Sequence, residues 1–383
     1  MPVPLPTDDQ ALRVPPDAAE VAVLGRGVLA AVTPPGGRTA LQEVLIGAMF
    51  EAMTGHPVDL GAEPLEPEAF AEALARRDEA FRTRIVQVML LGAMVLTPLP
   101  EAVADQVEAY ARALSVDDGM LAVTRRFAQG SLGLAAIDFQ RNGYEAGWDS
   151  AHAEVLGTSR ALDDAWVAAV ADDALAARWT ALGELPEGTL GKRVWQFYRA
   201  RGFAFPGQPG SAPPLLAQHD WVHVLADYGT TVECELEVFG LIARANDDPR
   251  AFSLLAMVVS LFETGYLATG AGLFAYGRGH LSRRGVPVRL ADAMRRGALM
   301  TGSVDLLAMD WWGRADQPVE DVRRELGLVP RSDAALAAGS VTAWERGGIS
   351  SFQLAAGRAA AEAAGRAYEP FGASVGDEPA PGT

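Results

Sequence analysis

Apolar residues recur at spacings of three and four along most of the chain, and alternating apolar and polar runs are scarce. That pattern predicts helices and no sheet. Helices are expected at about 17–33, 40–54, 67–97 with a break near Arg77-Asp78, 99–114 and 117–136. Pro98 and Pro100 separate two of them, and Ser115 and Asp117 stand where an N-cap is wanted. Between Asn142 and Leu162, Gly143, Gly147, Gly157 and several polar residues mark a boundary. A second helical stretch runs to about 330, and shorter helices are expected at 332–346 and 350–367. The fold class is therefore all-α, in two helical units. Its expected parts are a loose Pro-rich start at 1–16, an acidic helical domain at 17–155, a second helical domain at 165–335, additional helices at 336–369 and a disordered tail at 370–383.

The stretch from Ala251 to Tyr276 is apolar enough to imitate a membrane span. Glu263 lies near its centre, and Gly265, Gly270 and Gly272 follow. A central carboxylate is costly in a bilayer, so a buried helix is the better expectation. Charge narrows the partners. The net charge is −17, and residues 1–175 hold 12 Arg against 26 Asp or Glu, whereas the rest holds 20 Lys or Arg against 23. The acidic half repels nucleic acid and anionic membrane. Cys234 is the sole cysteine, so no intrachain disulfide forms and a reducing, cytoplasmic setting is expected. The start, Met1-Pro-Val-Pro, lacks a basic stretch followed by an apolar one, so no signal peptide is expected.

The chemistry concentrates at 218–237. His219 and His223 are four apart, which on a helix sets them about 40° apart on one face. Two imidazoles so placed can reach one ion. Asp220 follows the first His, where a zincin carries the longer Glu. Glu235 is 16 residues beyond His219. On one straight helix that is about 24 Å, too far to share an ion. The chain must reverse, with Gly229 stopping one helix and Thr230 or Thr231 capping the next. In such a hairpin His223 and Glu235 sit level, each six residues from the pivot. The expected site is His219, Asp220, His223 and Glu235 around a divalent ion (Zn, Fe or Mn). His56, His152 and His280 do not cluster in sequence and read as structural.

His-Asp-x-x-His, with Glu twelve residues past the second His, resembles the pattern of the Coq-four family of ubiquinone biosynthesis. Two further motifs share the resemblance. Leu185-Pro-Glu-Gly-Thr-Leu-Gly191, before an aromatic-bearing helix with Trp195, Phe197 and Tyr198, resembles that family's Leu-Pro-x-Gly-(Ser/Thr)-x-Gly turn. Trp312 with Gln317-Pro-Val-Glu-Asp-Val-Arg-Arg-Glu-Leu-Gly327 resembles its C-terminal element. The resemblance covers roughly 180–330. It implies an all-helical domain, a divalent ion on the matching residues, and replacement of a ring carboxylate by hydroxyl on a prenylated aromatic acid. It also implies contact with a membrane surface and with other enzymes of the pathway. The extra N-terminal half and the acidic balance depart from that pattern. From Arg84 to Phe127 the chain loosely resembles the helical TerB-like domains of tellurite-resistance proteins.

Arg278, Arg283 and Arg284 follow the apolar stretch, and guanidinium beside an apolar wall suits a lipophilic molecule with an anionic head. Those residues, with Trp312, are the expected substrate contacts. Asp220 and Glu235 are the expected catalytic groups. The function expected is a metal-dependent decarboxylase or hydroxylase, lyase or oxidoreductase in type, acting on a lipophilic aromatic acid or quinone precursor. Its rival is a non-catalytic, metal-stabilised lipid carrier or scaffold. Expected partners are the lipophilic small molecule, a membrane surface at the periphery, and a second copy or a pathway enzyme.

Overall fold

A computed structural model describes residues 15–144, 156, 171–212, 214–267 and 278–372. The loose start at 1–14, Gly147, Gly157, His152, the end of the 251–276 stretch and the tail from 373 onward lie outside the described residues. Among those described are sixteen α-helices and no strand. In chain order they are α1 (Ala18–Val32), α2 (Ala40–Thr54), α3 (Pro67–Ala73), α4 (Glu79–Met94), α5 (Glu101–Ala113), α6 (Gly119–Ala128), α7 (Leu132–Asn142) and α8 (Asp173–Ala181). Then come α9 (Leu190–Arg201), α10 (Pro214–Ala226), α11 (Val232–Ala245), α12 (Phe252–Val259), α13 (Val286–Ala298), α14 (Val319–Glu325), α15 (Asp333–Ala337) and α16 (Ser351–Ala363). The fold is all-α.

Three helices differ from the expected bounds. The 117–136 helix is two, α6 and α7, because Gly130 takes a left-handed φ of 68° between them. Its cap is Asp118, which accepts from Met120 N at 2.8 Å, while Ser115 sits at a positive φ of 56°. The apolar helix from 251 is shorter than expected. After α12 it makes one π-helical turn, Ser260–Thr264, and stops at Gly265, whose φ is 69°. Among the described residues no helix is long and apolar enough to cross a membrane. The 332–346 helix is only the five residues of α15, ended by Gly339 at φ 88°.

Contacts divide the chain into two units that interleave along the sequence. The first takes 1–147, 239–299 and 331–339; the second takes 148–238, 300–330 and 340–383. Sequential blocks at 17–155 and 165–335 do not describe this division, because the segments after Phe239 return to the first unit. In that unit α1, α2, α4 and α5 enclose Leu24, Val28, Ile46, Leu90 and Val107, all buried. Gln42 ties the layer together: its Nε2 donates to Val32 O at 2.8 Å and to Gly92 O at 2.9 Å.

In the second unit, the 185–191 turn and the 315–319 segment lie against each other. Leu190 N donates to Gln317 O at 2.9 Å, Gly191 N to Ala315 O at 2.8 Å and Val319 N to Gly188 O at 3.1 Å. Thr189 caps α9 and forms an isolated antiparallel bridge with Pro318. The far end of α9 meets α16 at glycines. A Cβ on Gly202 would stand 2.5 Å from the Ala356 carbonyl carbon, and one on Gly357 2.4 Å from Ala200 O. Two backbones touch there, and a side chain on either would part them.

Candidate metal centre

The second unit ties down the last turn of α10. Arg323 of α14 donates Nε to Leu225 O at 2.6 Å and a terminal nitrogen to Val224 O at 3.1 Å. The chain then reverses as the spacing of His223 and Glu235 requires, with Thr231 opening the next helix as expected but another residue stopping the first. Asp227, not Gly229, takes the left-handed φ, at 62°. Asp tolerates that region better than most side chains. Tyr228 N donates to His223 O at 3.0 Å, closing the helix end. Gly229 is needed for space: a Cβ there would stand 2.7 Å from Gly348 Cα. Its N–H donates to Val341 O at 3.0 Å, and Thr230 N donates to Gly348 O at 2.9 Å. Thr231 O then accepts from Cys234 N and Glu235 N, starting α11.

This hairpin brings His219, His223 and Glu235 together, with one potential ligand atom from each lying within 4.8 Å of the others. His219 Nε2 is 3.4 Å from Glu235 Oε2, and His223 Nε2 is 3.3 Å from Glu235 Oε1. The two rings are 5.2 Å apart, centre to centre. Each ring is oriented by a backbone carbonyl: Nδ1 of His223 faces Gly229 O at 2.8 Å, and Nδ1 of His219 faces Leu216 O. A neutral ring donating through Nδ1 carries its lone pair on Nε2. Both lone pairs then point to the side where the carboxylate lies. His223 Nε2 and Glu235 Oε2 are buried and have no hydrogen-bond partner among the described residues. Buried polar atoms are seldom left so.

Asp220 stands beside the group of three. Its Oδ1 is 3.6 Å from His219 Nε2, and its Oδ2 accepts a 2.5 Å hydrogen bond from the Tyr198 hydroxyl. Tyr198 is itself buried and stacked on Phe205 at 5.4 Å. The electrostatics follow from close packing of acids and imidazoles. Burial works against a charged His219 ring, but Asp220 and Glu235 outweigh it and raise its pKa to about 9. Burial pushes Glu235 up, yet His223 and His219 hold it well below the usual carboxylate range. Burial raises Asp220 despite the imidazoles. Tyr198 is raised well above its ordinary value by burial, then by Asp220.

A buried arginine supports the turn. Arg201, at the end of α9, is fully buried and donates Nε to Thr230 Oγ1 at 2.8 Å. Its other nitrogens reach Phe197 O, Ala343 O at 2.8 Å and Gly348 O at 3.1 Å. Gln353 of α16 completes the clamp, donating Nε2 to Thr230 O at 3.1 Å and accepting from Thr230 Oγ1. The residue after Gly229 is thus fixed from three sides, and Gly229 O is what orients His223. Burial lowers the Arg201 pKa to about 9.

Of the other expected contacts, Trp312 belongs to the second unit. It lies edge-on to Trp179 at 5.5 Å and to Trp221 at 5.6 Å, with the Arg178 guanidinium 4.1 Å above its ring. Its neighbour Trp311 is fully buried and stacks on Trp221. Arg278, Arg283 and Arg284 belong to the first unit and are exposed. Sequence reasoning did not single out Arg201 or Gln353, and took Tyr198 only as one aromatic of its helix. Tyr198 and Arg201 are three apart, so they share a face of α9. Nothing in Tyr-Arg-Ala-Arg tells the buried Arg201 from the partly exposed Arg199. Compared with models of protein families, with curated proteins and with solved structures, the chain matches none.

Proposed function

We propose that the second unit is a divalent-metal centre, with His219, His223 and Glu235 as ligands and Asp220 as a further ligand or as the group that orients His219. The observation that carries this is the pair of buried atoms without a hydrogen-bond partner among the described residues, His223 Nε2 and Glu235 Oε2, in a group whose three ligand atoms lie within 4.8 Å of one another. Two imidazoles and a carboxylate fit Fe(II), Mn(II) or Zn(II). Such an ion supplies Lewis-acid polarisation of a substrate oxygen or, if redox-active, activation of oxygen. The protein's own part is orientation. Gly229 O and Leu216 O fix the ring tautomers, Tyr198 holds Asp220, and Arg201 with Gln353 fixes the turn.

The reaction proposed is of the Coq-four type: replacement of a ring carboxylate by hydroxyl, or ring hydroxylation, on a lipophilic aromatic acid or quinone precursor. It is supported by the way the three motifs of that resemblance depend on one another. The 185–191 turn packs on 315–319, α14 satisfies the end of α10 through Arg323, and α10 carries both histidines. In the same proposal the partners are a lipophilic small molecule, a membrane surface and either a second copy or a pathway enzyme. The weak TerB-like resemblance assigns no chemistry to the first unit.

Burial of all four side chains favours a second reading, in which the metal serves structure in a lipid carrier or scaffold. One assay separates them: metal-loaded protein and Glu235→Ala with a prenylated or otherwise apolar hydroxybenzoate. Turnover by the wild type, lost in the variant at unchanged helix content, supports the enzyme. Binding by both with no turnover under any metal or oxygen condition supports the carrier.

A further inference from the structure

The first unit contains a cavity of about 140 Å³. Met49, Met53, Phe81, Ile85, Phe252 and Met294 are among its walls, and all of them are apolar. Leu299, half exposed, also lines it, so the chamber reaches the surface.

The polar side chains of the lining are Thr54, Arg84, Gln87, Arg244 and Arg295. Four of them are engaged within the protein. Thr54 Oγ1 donates to Phe50 O at 2.6 Å. Arg84 donates to Gln87 Oε1 at 3.0 Å and to Ala243 O at 3.3 Å. Gln87 Nε2 donates to Asp118 Oδ2 and to Pro249 O, each at 3.0 Å. Arg295 pairs with Asp292 at 2.8 Å. The three arginines are partly exposed, and none of their nitrogens is both buried and without a partner. Their charges are therefore satisfied without a guest. The chamber asks of a guest no charge and no hydrogen bond, only apolar contact.

Apolar walls without a partner forfeit dispersion contacts, and water, which needs two to four polar partners, is a poor filler for them. Size limits what fills the space instead. A cavity of about 150 Å³ accommodates benzene, so about six to eight carbons fit here. Three methionines in the wall give it room to adjust.

We infer that this cavity binds a neutral, apolar molecule of about six to eight carbons. The inference does not rest on the metal centre, since every residue it uses belongs to the first unit.

The test is calorimetric titration of the full chain with benzene, toluene, ethylbenzene and butylbenzene, and with benzoate as the charged counterpart. Toluene is expected to bind with a Kd below about 1 mM. From benzene to ethylbenzene each added carbon should tighten binding about fourfold, the worth of one buried methylene. The gain should stop at butylbenzene, which is larger than the space. Benzoate should bind at least about tenfold more weakly than toluene, because its charge loses water and gains no free partner. Methyl resonances of Met49, Met53 and Met294 should shift with toluene, while those of Met120 and Met309, outside the lining, stay in place. That readout uses the wild type, so it holds even where a variant fails to fold. Ala298→Leu, which fills the chamber, should weaken toluene at least about tenfold. No saturable binding of toluene by about 1 mM, benzoate tighter than toluene, affinity still rising at butylbenzene, or the three methionine signals unmoved at saturation would overturn the inference.

Discussion

The two units bury charge in opposite ways. In the second, Glu235 and Asp220 lie against two imidazoles, and Arg201 is saturated by Thr230 Oγ1 and three carbonyl oxygens. In the first, Arg84 and Arg244 are only partly buried; Arg84 donates to Gln87 Oε1 and to two carbonyl oxygens, and Arg244 makes no hydrogen bond or ion pair among the described residues. Incomplete satisfaction of buried polar groups is uncommon, and its sign indicates what is missing. His223 Nε2 and Glu235 Oε2, buried without a hydrogen-bond partner among the described residues, call for a cation.

The largest effect that can break this comparison is at Glu235. Glu235→Gln keeps the shape but removes the charge between the imidazoles. Metal affinity, measured by competition with a chelator, should fall by more than about 100-fold, beyond what loss of an orienting neighbour costs. Arg201→Met comes next. It leaves Thr230 Oγ1 and Ala343 O without the donor that Arg201 supplies, and chemical unfolding should show a loss of about 3 kcal/mol. Tyr198→Phe tests Asp220 alone, with an expected drop of about tenfold in metal affinity and little change in helix content. The smallest effect is expected at Arg244, which is partly exposed and makes no hydrogen bond or ion pair among the described residues: Arg244→Met should change stability by no more than about 0.5 kcal/mol. Destabilisation by Arg244→Met as large as by Arg201→Met would erase the distinction between the units.

A pH series sharpens the same contrast. In metal-free protein His219 is held up at about 9, against 6.5 for a free ring, because Asp220 and Glu235 outweigh burial. Its stabilisation is therefore fully present below pH 6.5 and is lost as pH rises through 9. The unfolding temperature of metal-free protein should fall across that window. With metal bound the trend should reverse below neutrality, since ligation needs neutral imidazole. His219→Gln should flatten the metal-free profile.

Much of this was legible in the chain because it depends on local spacing. The four-residue step from His219 to His223 and the equal arms from Gly229 to His223 and Glu235 place three side chains on facing helices without knowledge of the rest. The turn itself was less legible. Asp227 adopts the left-handed conformation, and Gly229 is required by Gly348, 119 residues later in the sequence, whose backbone presses on it. Arg201 and Gln353 were hidden for the same reason: their partners are set by tertiary contact, and a buried arginine has no local mark. The interleaving of the units after Phe239 is likewise a matter of long-range packing, which periodicity cannot express. Helix existence was clear from apolar spacing, while Gly130, Gly265 and Gly339 ended helices that the apolar pattern alone would have continued.

The central claim, that His219, His223 and Glu235 hold an ion, is tested most directly by elemental analysis of the full chain purified anaerobically without chelator. One divalent ion per chain is predicted for the wild type, and none for His219→Ala/His223→Ala at unchanged helix content. Stoichiometric metal retained by that folded double variant would contradict it.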